Sequence, residues 1–233
     1  MFFAEKNDSQ SVGAQRKRSI ARLACLILIG VAATVLMRGR QVAANPDNDS
    51  NQNNYASEIA KTYDFKFGPN PFSPGNATTT TGTFIPVDMF IASKRCGQCH
   101  TDAHAQWRQS AHGNAFREPF YQKNVKDLQS QKGIEFTRHC QSCHNPAALF
   151  SGALTKNSHV KRPFDDDGVS CIACHSIQTA NGRGIGGYVM GEPALLVKED
   201  GTRMLAGVSD QQILDDIPSH RRAMMRPLGA RVA

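Results

Sequence analysis

Residues 23–37, "LACLILIGVAATVLM", form an unbroken 15-residue apolar or small-residue run. That length suits the hydrophobic region of a signal peptide and falls short of the ~20 residues of a spanning helix. The pattern then turns polar. "NPDNDSNQNN", "PNPFSPG" and "NATTTTGT" fill residues 45–82 with side chains that bury little apolar surface, so a disordered linker is expected there. Beyond it the periodicity is helical and short. "QCHTDAHAQWRQSAHGNAF" reads as a helix broken near Gly113, and residues 121–133 as a second helix stopped by Gly133. Asp200-Gly201 separates two apolar stretches at 195–205 and predicts a small β-hairpin. Ser209 and Gln212 form a capping box for a helix over "DQQILDD", and Pro218 resets the chain before "SHRRAMM". The expected fold class is mainly α with much irregular structure.

Charge adds the N-terminal half of an export signal. Arg16, Lys17, Arg18 and Arg22 precede the apolar run, and Val42 and Ala44 supply small residues for a cleavage site. Arg38 and Arg40 interrupt that arrangement, so residues 1–44 are read as a signal peptide or an uncleaved N-terminal anchor associated with a membrane. The leader has no Arg-Arg pair for the twin-Arg route. Cys25, early in the apolar run, reads as a small hydrophobe. Of the net charge of +7, residues 1–44 carry +5 (seven basic, two acidic) and the remainder +2 (20 basic, 18 acidic). A body so nearly neutral excludes a nucleic-acid partner.

Cysteine changes the picture most. Six of the seven cysteines form three pairs, "CGQCH" at 96–100, "CQSCH" at 140–144 and "CIACH" at 171–175. A histidine follows every pair, although the chain has only 8 in 233 residues. Chance placement at all three positions comes to about 4 in 100,000. C-x-x-C-H is the attachment signature of haem c: two thiols become thioethers and the adjacent imidazole becomes the proximal iron ligand. Zinc knuckles and disulfide frameworks use cysteine pairs too, but neither needs His directly after each one. The cofactors expected are therefore three covalent haems, on Cys96/Cys99, Cys140/Cys143 and Cys171/Cys174, with His100, His144 and His175 proximal. Residues 83–233 form the haem domain, about 150 residues in which porphyrin makes up much of the core.

Distal ligands come from the remaining histidines. His112, His220, His139 and His159 are the candidates. His104 shares a helical face with His100 and cannot reach the far side of the same haem. His139 directly precedes its motif, so it is expected to turn toward a neighbouring haem. Met89, Met190, Met224 and Met225 read as packing. "GRGIGG" at 182–187 matches a dinucleotide fingerprint formally but lies between no strand and helix, and reads as a loop against porphyrin. "FDDDG" at 164–168 reads as a solvated loop.

"CGQCHTDAHAQWRQSAH" resembles the first haem segment of the cytochrome c-552/4 domains, the family of tetrahaem cytochromes that take electrons from hydroxylamine oxidoreductase. "HCQSCHNP" and "DGVSCIACHS" resemble its second and third segments. The resemblance covers roughly residues 90–180. It implies closely packed haems and electron transfer with redox partner proteins outside the cytoplasm, in the periplasm. The family has a fourth motif, whose haem the counterpart of His112 caps, and a distal His soon after the third motif. Neither is present here, so a chain truncated before its fourth site is expected. An electron carrier is the leading functional reading. A haem enzyme with one open axial position, acting on a small nitrogen or oxygen species, and a haem-bearing module of a larger redox complex are the alternatives.

Overall fold

The computed structural model describes residues 46–156, 162, 164–180, 182, 184 and 186–225. The leader 1–44 and His159 lie outside the described residues. The elements run α1 (Pro46–Ala60), β1 (Thr78–Thr79), α2 (Ser93–Cys96), α3 (Thr101–Gln109), α4 (Ala111–Asn114), α5 (Pro119–Lys132), α6 (Arg138–His144), α7 (Pro146–Phe150), α8 (Cys171–His175), β2 (Ile177–Ala180), β3 (Tyr188–Met190), β4 (Leu196–Val197), β5 (Arg203–Met204), α9 (Asp210–Asp215) and α10 (Ile217–Met224). The fold is mainly α, with short helices, irregular connections and two small sheets.

Local chemistry accounts for the boundaries. α5 has Pro119 in its first turn and Glu118 accepting from the N–H groups of Phe120 and Tyr121; it stops at Gly133, whose φ of 90° ends the helix cleanly. α9 carries the expected capping box of Ser209 and Gln212. β4 and β5 pair antiparallel, Leu196 with Met204 and Val197 with Arg203, which is the expected hairpin. The break between α3 and α4 falls at Ser110, not Gly113. Ser110 adopts extended ψ and its hydroxyl accepts from the Gly113 N–H, so serine ends one helix and caps the next. Gly113 is needed for packing, because a Cβ there would lie 2.4 Å from the Trp107 carbonyl oxygen.

The segment expected to be a linker is part of the core. Tyr63, Phe72 and Ala77 are buried, and Tyr55, Ala56 and Ile59 pack one face of α1 against the same cluster. Phe72 meets Phe150 at 5.1 Å and Phe84 at 5.9 Å, edge to face, and Tyr63 meets Phe84 at 4.7 Å. β1 pairs parallel with β3, Thr78 with Val189 and Thr79 with Met190. The composition of 45–82 is polar on average, but a few aromatic anchors decide its fate. Full burial of one such ring contributes roughly 1.5–3 kcal/mol.

Phe72, Phe84, Phe150, Leu149, Ile172, Met190 and Leu196 thus form an apolar centre made by the polypeptide itself. β2 starts two residues after the third motif and pairs with β3, so the sheet ties that motif to the centre. Gly186 and Tyr188 pack behind α6: a Cβ on Gly186 would lie 2.4 Å from the Ser142 hydroxyl, and the Tyr188 hydroxyl donates to the Ser142 carbonyl at 2.7 Å. Ser142 is buried, so these two residues support the helix from its inner side. The 164–168 acids are not merely solvated either. Asp165 is buried and accepts from Asn145 at 2.7 Å and Arg162 at 2.9 Å, and Asp167 accepts from the Ser93 N–H at 2.6 Å.

Candidate haem-binding sites

The second and third motifs each occupy a helical turn, and the first a turn between α2 and α3; in each, the turn sorts its residues onto two faces. In α6, Arg138, Gln141, Ser142 and Asn145 point inward and are buried, while Cys143 is exposed and Cys140 and His144 are half-buried. In α8, Ile172 and Ala173 are buried, while Cys171 is half-buried and Cys174 and His175 are exposed. In the first motif, Cys96 is half-buried and Cys99 and His100 are exposed. The spacing i, i+3, i+4 puts both sulfurs and the following imidazole on one side of a turn. The repeated gradation, first Cys half-buried and second Cys exposed, gives all three sites the same outward-facing form.

Ser93, fully buried, joins the first and third sites. Its N–H donates to Asp167, and its hydroxyl oxygen accepts from the Cys171 N–H at 3.1 Å. The Cys96 and Cys171 side chains lie in hydrogen-bonding contact. The hydrogen bond from Cys96 holds the Cys171 thiol down to about 6, and the same contact together with burial pushes Cys96 far up. Burial raises Cys140 and Cys174 as well. Gly97 leaves room for the His104 ring, since a Cβ there would lie 2.7 Å from His104 Cγ.

The imidazoles are oriented by backbone carbonyls. His144 Nδ1 lies 2.6 Å from the Ala115 oxygen, and His175 Nδ1 lies 2.9 Å from the Met224 oxygen. A carbonyl only accepts, so Nδ1 carries the proton and Nε2 keeps its lone pair for a metal. This is the outer-shell arrangement that fixes the tautomer of metal-binding histidines and raises their basicity. Tyr121 lies flat on His144, with centroids 3.7 Å apart and planes 1° apart. Its hydroxyl is buried near Cys140 and Cys143 and has no hydrogen-bond partner among the described residues. Each motif thus presents two thiols and an imidazole on one side of the chain, the donor set that a covalently attached haem takes.

Of the candidate distal ligands, His220 has the same tautomer-fixing contact, Nδ1 to the Leu195 oxygen at 2.7 Å. Its ring faces His100, with centroids 6.4 Å apart and planes inclined by 19°. His139 does not turn away from its own motif as expected. Its Nδ1 meets the Phe136 oxygen, and its Nε2 lies 3.3 Å from Cys140 Sγ. The extra turn Ile134–Thr137 leads directly into α6 and places that carbonyl under the ring. The His112 side chain is exposed, while its backbone oxygen accepts from Val169 at 3.0 Å. Met89 and Met190 are buried in the apolar centre, in keeping with packing. Sequence reasoning missed Ser93, Tyr121 and the carbonyls of Ala115, Met224 and Leu195. Carbonyls have no residue-type signal, and Ser93 is one serine among many.

Three such faces on one chain are the arrangement that the attachment signature of a multihaem c-type cytochrome calls for. Residues 95–176, which span all three motifs, match the family model described as cytochrome c554 and c-prime. No curated protein matches the chain. Among solved structures, a penta-haem cytochrome c552 from Thermochromatium tepidum is similar at 23% identity and a TM-score of 0.36, over 57% of this chain and 37% of that one. The chain thus spans little more than a third of that relative's length.

Proposed function

We propose that the chain is an exported electron carrier with three haems, one on each of Cys96/Cys99, Cys140/Cys143 and Cys171/Cys174, and with His100, His144 and His175 as proximal ligands. The observation that carries this reading is the threefold repetition of one outward Cys-Cys-His face around a single apolar centre. When bound, haem c supplies a one-electron iron couple. The polypeptide does the rest. Each cysteine pair would anchor the macrocycle, and the following imidazole would bind its iron. The carbonyls behind His144 and His175 make those nitrogens more electron-donating, which favours the oxidised iron. Ser93 holds the first and third motifs together, so the attachment edges at Cys96 and Cys171 adjoin and current passes between these two sites over a short gap.

The leader supports a place outside the cytoplasm, where a redox protein delivers or collects electrons, and its apolar run supplies any membrane association. Among the described residues no helix is long and apolar enough to cross a membrane. A spectroelectrochemical titration of the matured protein tests this reading. The expected result is reversible uptake of three electrons per chain, with the haem absorbance tracking each. Uptake of fewer than three, or none without added small-molecule substrate, would contradict it.

A further inference from the structure

We propose that His220 is the second axial ligand of the iron held at Cys96, Cys99 and His100; this rests on the haem reading above. The pairing comes from the geometry of the two rings. At 6.4 Å the His100 and His220 centroids are too far apart for ring contact, unlike Tyr121 and His144 at 3.7 Å. Two metal–imidazole bonds of about 2 Å each, with the ring radius added at either end, put trans imidazole centroids roughly 6 Å apart. The separation of the His100 and His220 centroids matches that spacing. The Leu195 carbonyl holds the proton of His220 on Nδ1, which leaves Nε2 as the free donor.

The helix behind His220 is anchored rather than loose. Asp216 caps α10 by accepting from the Ser219 N–H at 3.1 Å, and Lys198 pairs with the same carboxylate. Ser219 and Ala223 are buried, and Arg222 Nε donates to the Val197 oxygen at 2.8 Å. Arg95, next to Cys96, donates to the Val208 carbonyl and pairs with Asp210 at 3.2 Å, which ties the first motif to the start of α9. A ligand held this way has little rotamer freedom to lose on binding iron.

α10 also serves the third site. The Met224 carbonyl that accepts from His175 lies at the C-terminal end of the helix, where backbone oxygens carry partial negative charge. One helix therefore supplies a ligand to the first site and the outer-shell acceptor to the third. Among the other described histidines, His139 lies beside Cys140 of its own motif, and His104 lies on Gly97 within the first motif's own turn.

The test uses the matured holoprotein, with its haem mass measured first. If the wild type lacks covalent haem, the parent reading fails. If it carries haem, His220→Ala is expected to keep the same haem mass and to turn one haem from low-spin to high-spin in electron paramagnetic resonance. Added imidazole is expected to restore the low-spin signal. A His220→Ala protein with full haem mass and only low-spin iron overturns the assignment. Should that variant fail to accumulate, His220→Met decides. A His/Met pair raises the midpoint potential of one haem, and unchanged potentials for all haems overturn the proposal.

Discussion

Ser93 touches the first and third motifs with two different atoms. Its carbonyl oxygen accepts from the Gly97 N–H at 3.1 Å and its hydroxyl oxygen from the Cys171 N–H, while its own N–H reaches Asp167. Removing the hydroxyl leaves that N–H buried without an acceptor, which costs about 1–3 kcal/mol. Ser93→Ala is therefore expected to lower the urea midpoint of the holoprotein by that free energy. It is also expected to alter the electronic coupling between the first and third haems, seen as changed splitting of their potentials. A variant with wild-type stability and potentials would remove Ser93 from the clamp. At this scale the sequence is legible where chemistry is covalent: Cys96, Cys99, His100 and their counterparts announce themselves by residue type and spacing. It is illegible where a carbonyl does the work, because Ala115, Leu195 and Met224 look like ordinary residues until the fold brings their oxygens to His144, His220 and His175.

Elements were readable wherever one local device sets the boundary. Glu118, Pro119 and Gly133 delimit α5, and Ser209 with Gln212 starts α9. The α3–α4 break is misplaced by the sequence pattern: Gly113 carries the more conspicuous signal, but the Ser110 hydroxyl caps α4 by accepting from the Gly113 N–H. Residues 45–82 show the opposite failure. Average polarity there hides Tyr55, Tyr63 and Phe72, whose partners (the Ser151 oxygen, Phe84 and Phe150) lie outside the segment. The two readings differ measurably. In a disordered linker Phe72→Ala would change stability by little. In the packed core it is expected to cost about 3–5 kcal/mol, read as a lower denaturant midpoint with the haem absorbance of the remaining folded protein unchanged. A midpoint within experimental scatter of wild type would return the segment to the linker class.

For the whole molecule, an apolar centre of the polypeptide carries packing of its own, and the three Cys-Cys-His faces lie outside it. Ser93 ties the first and third motifs together on one side, and α10 bridges them on the other through His220 and the Met224 carbonyl. α6 presents the second motif, with Tyr121 stacked on its histidine. The number of sites is the point on which everything else depends. Intact mass spectrometry under denaturing conditions, on chain produced in a host competent for cytochrome c maturation, measures it directly. The expected result is polypeptide plus three haem masses, with one haem lost for each of Cys96/Cys99, Cys140/Cys143 and Cys171/Cys174 replaced as a pair by alanine. Polypeptide without added haem, or with zinc at the motifs in its place, would contradict the three-haem chain.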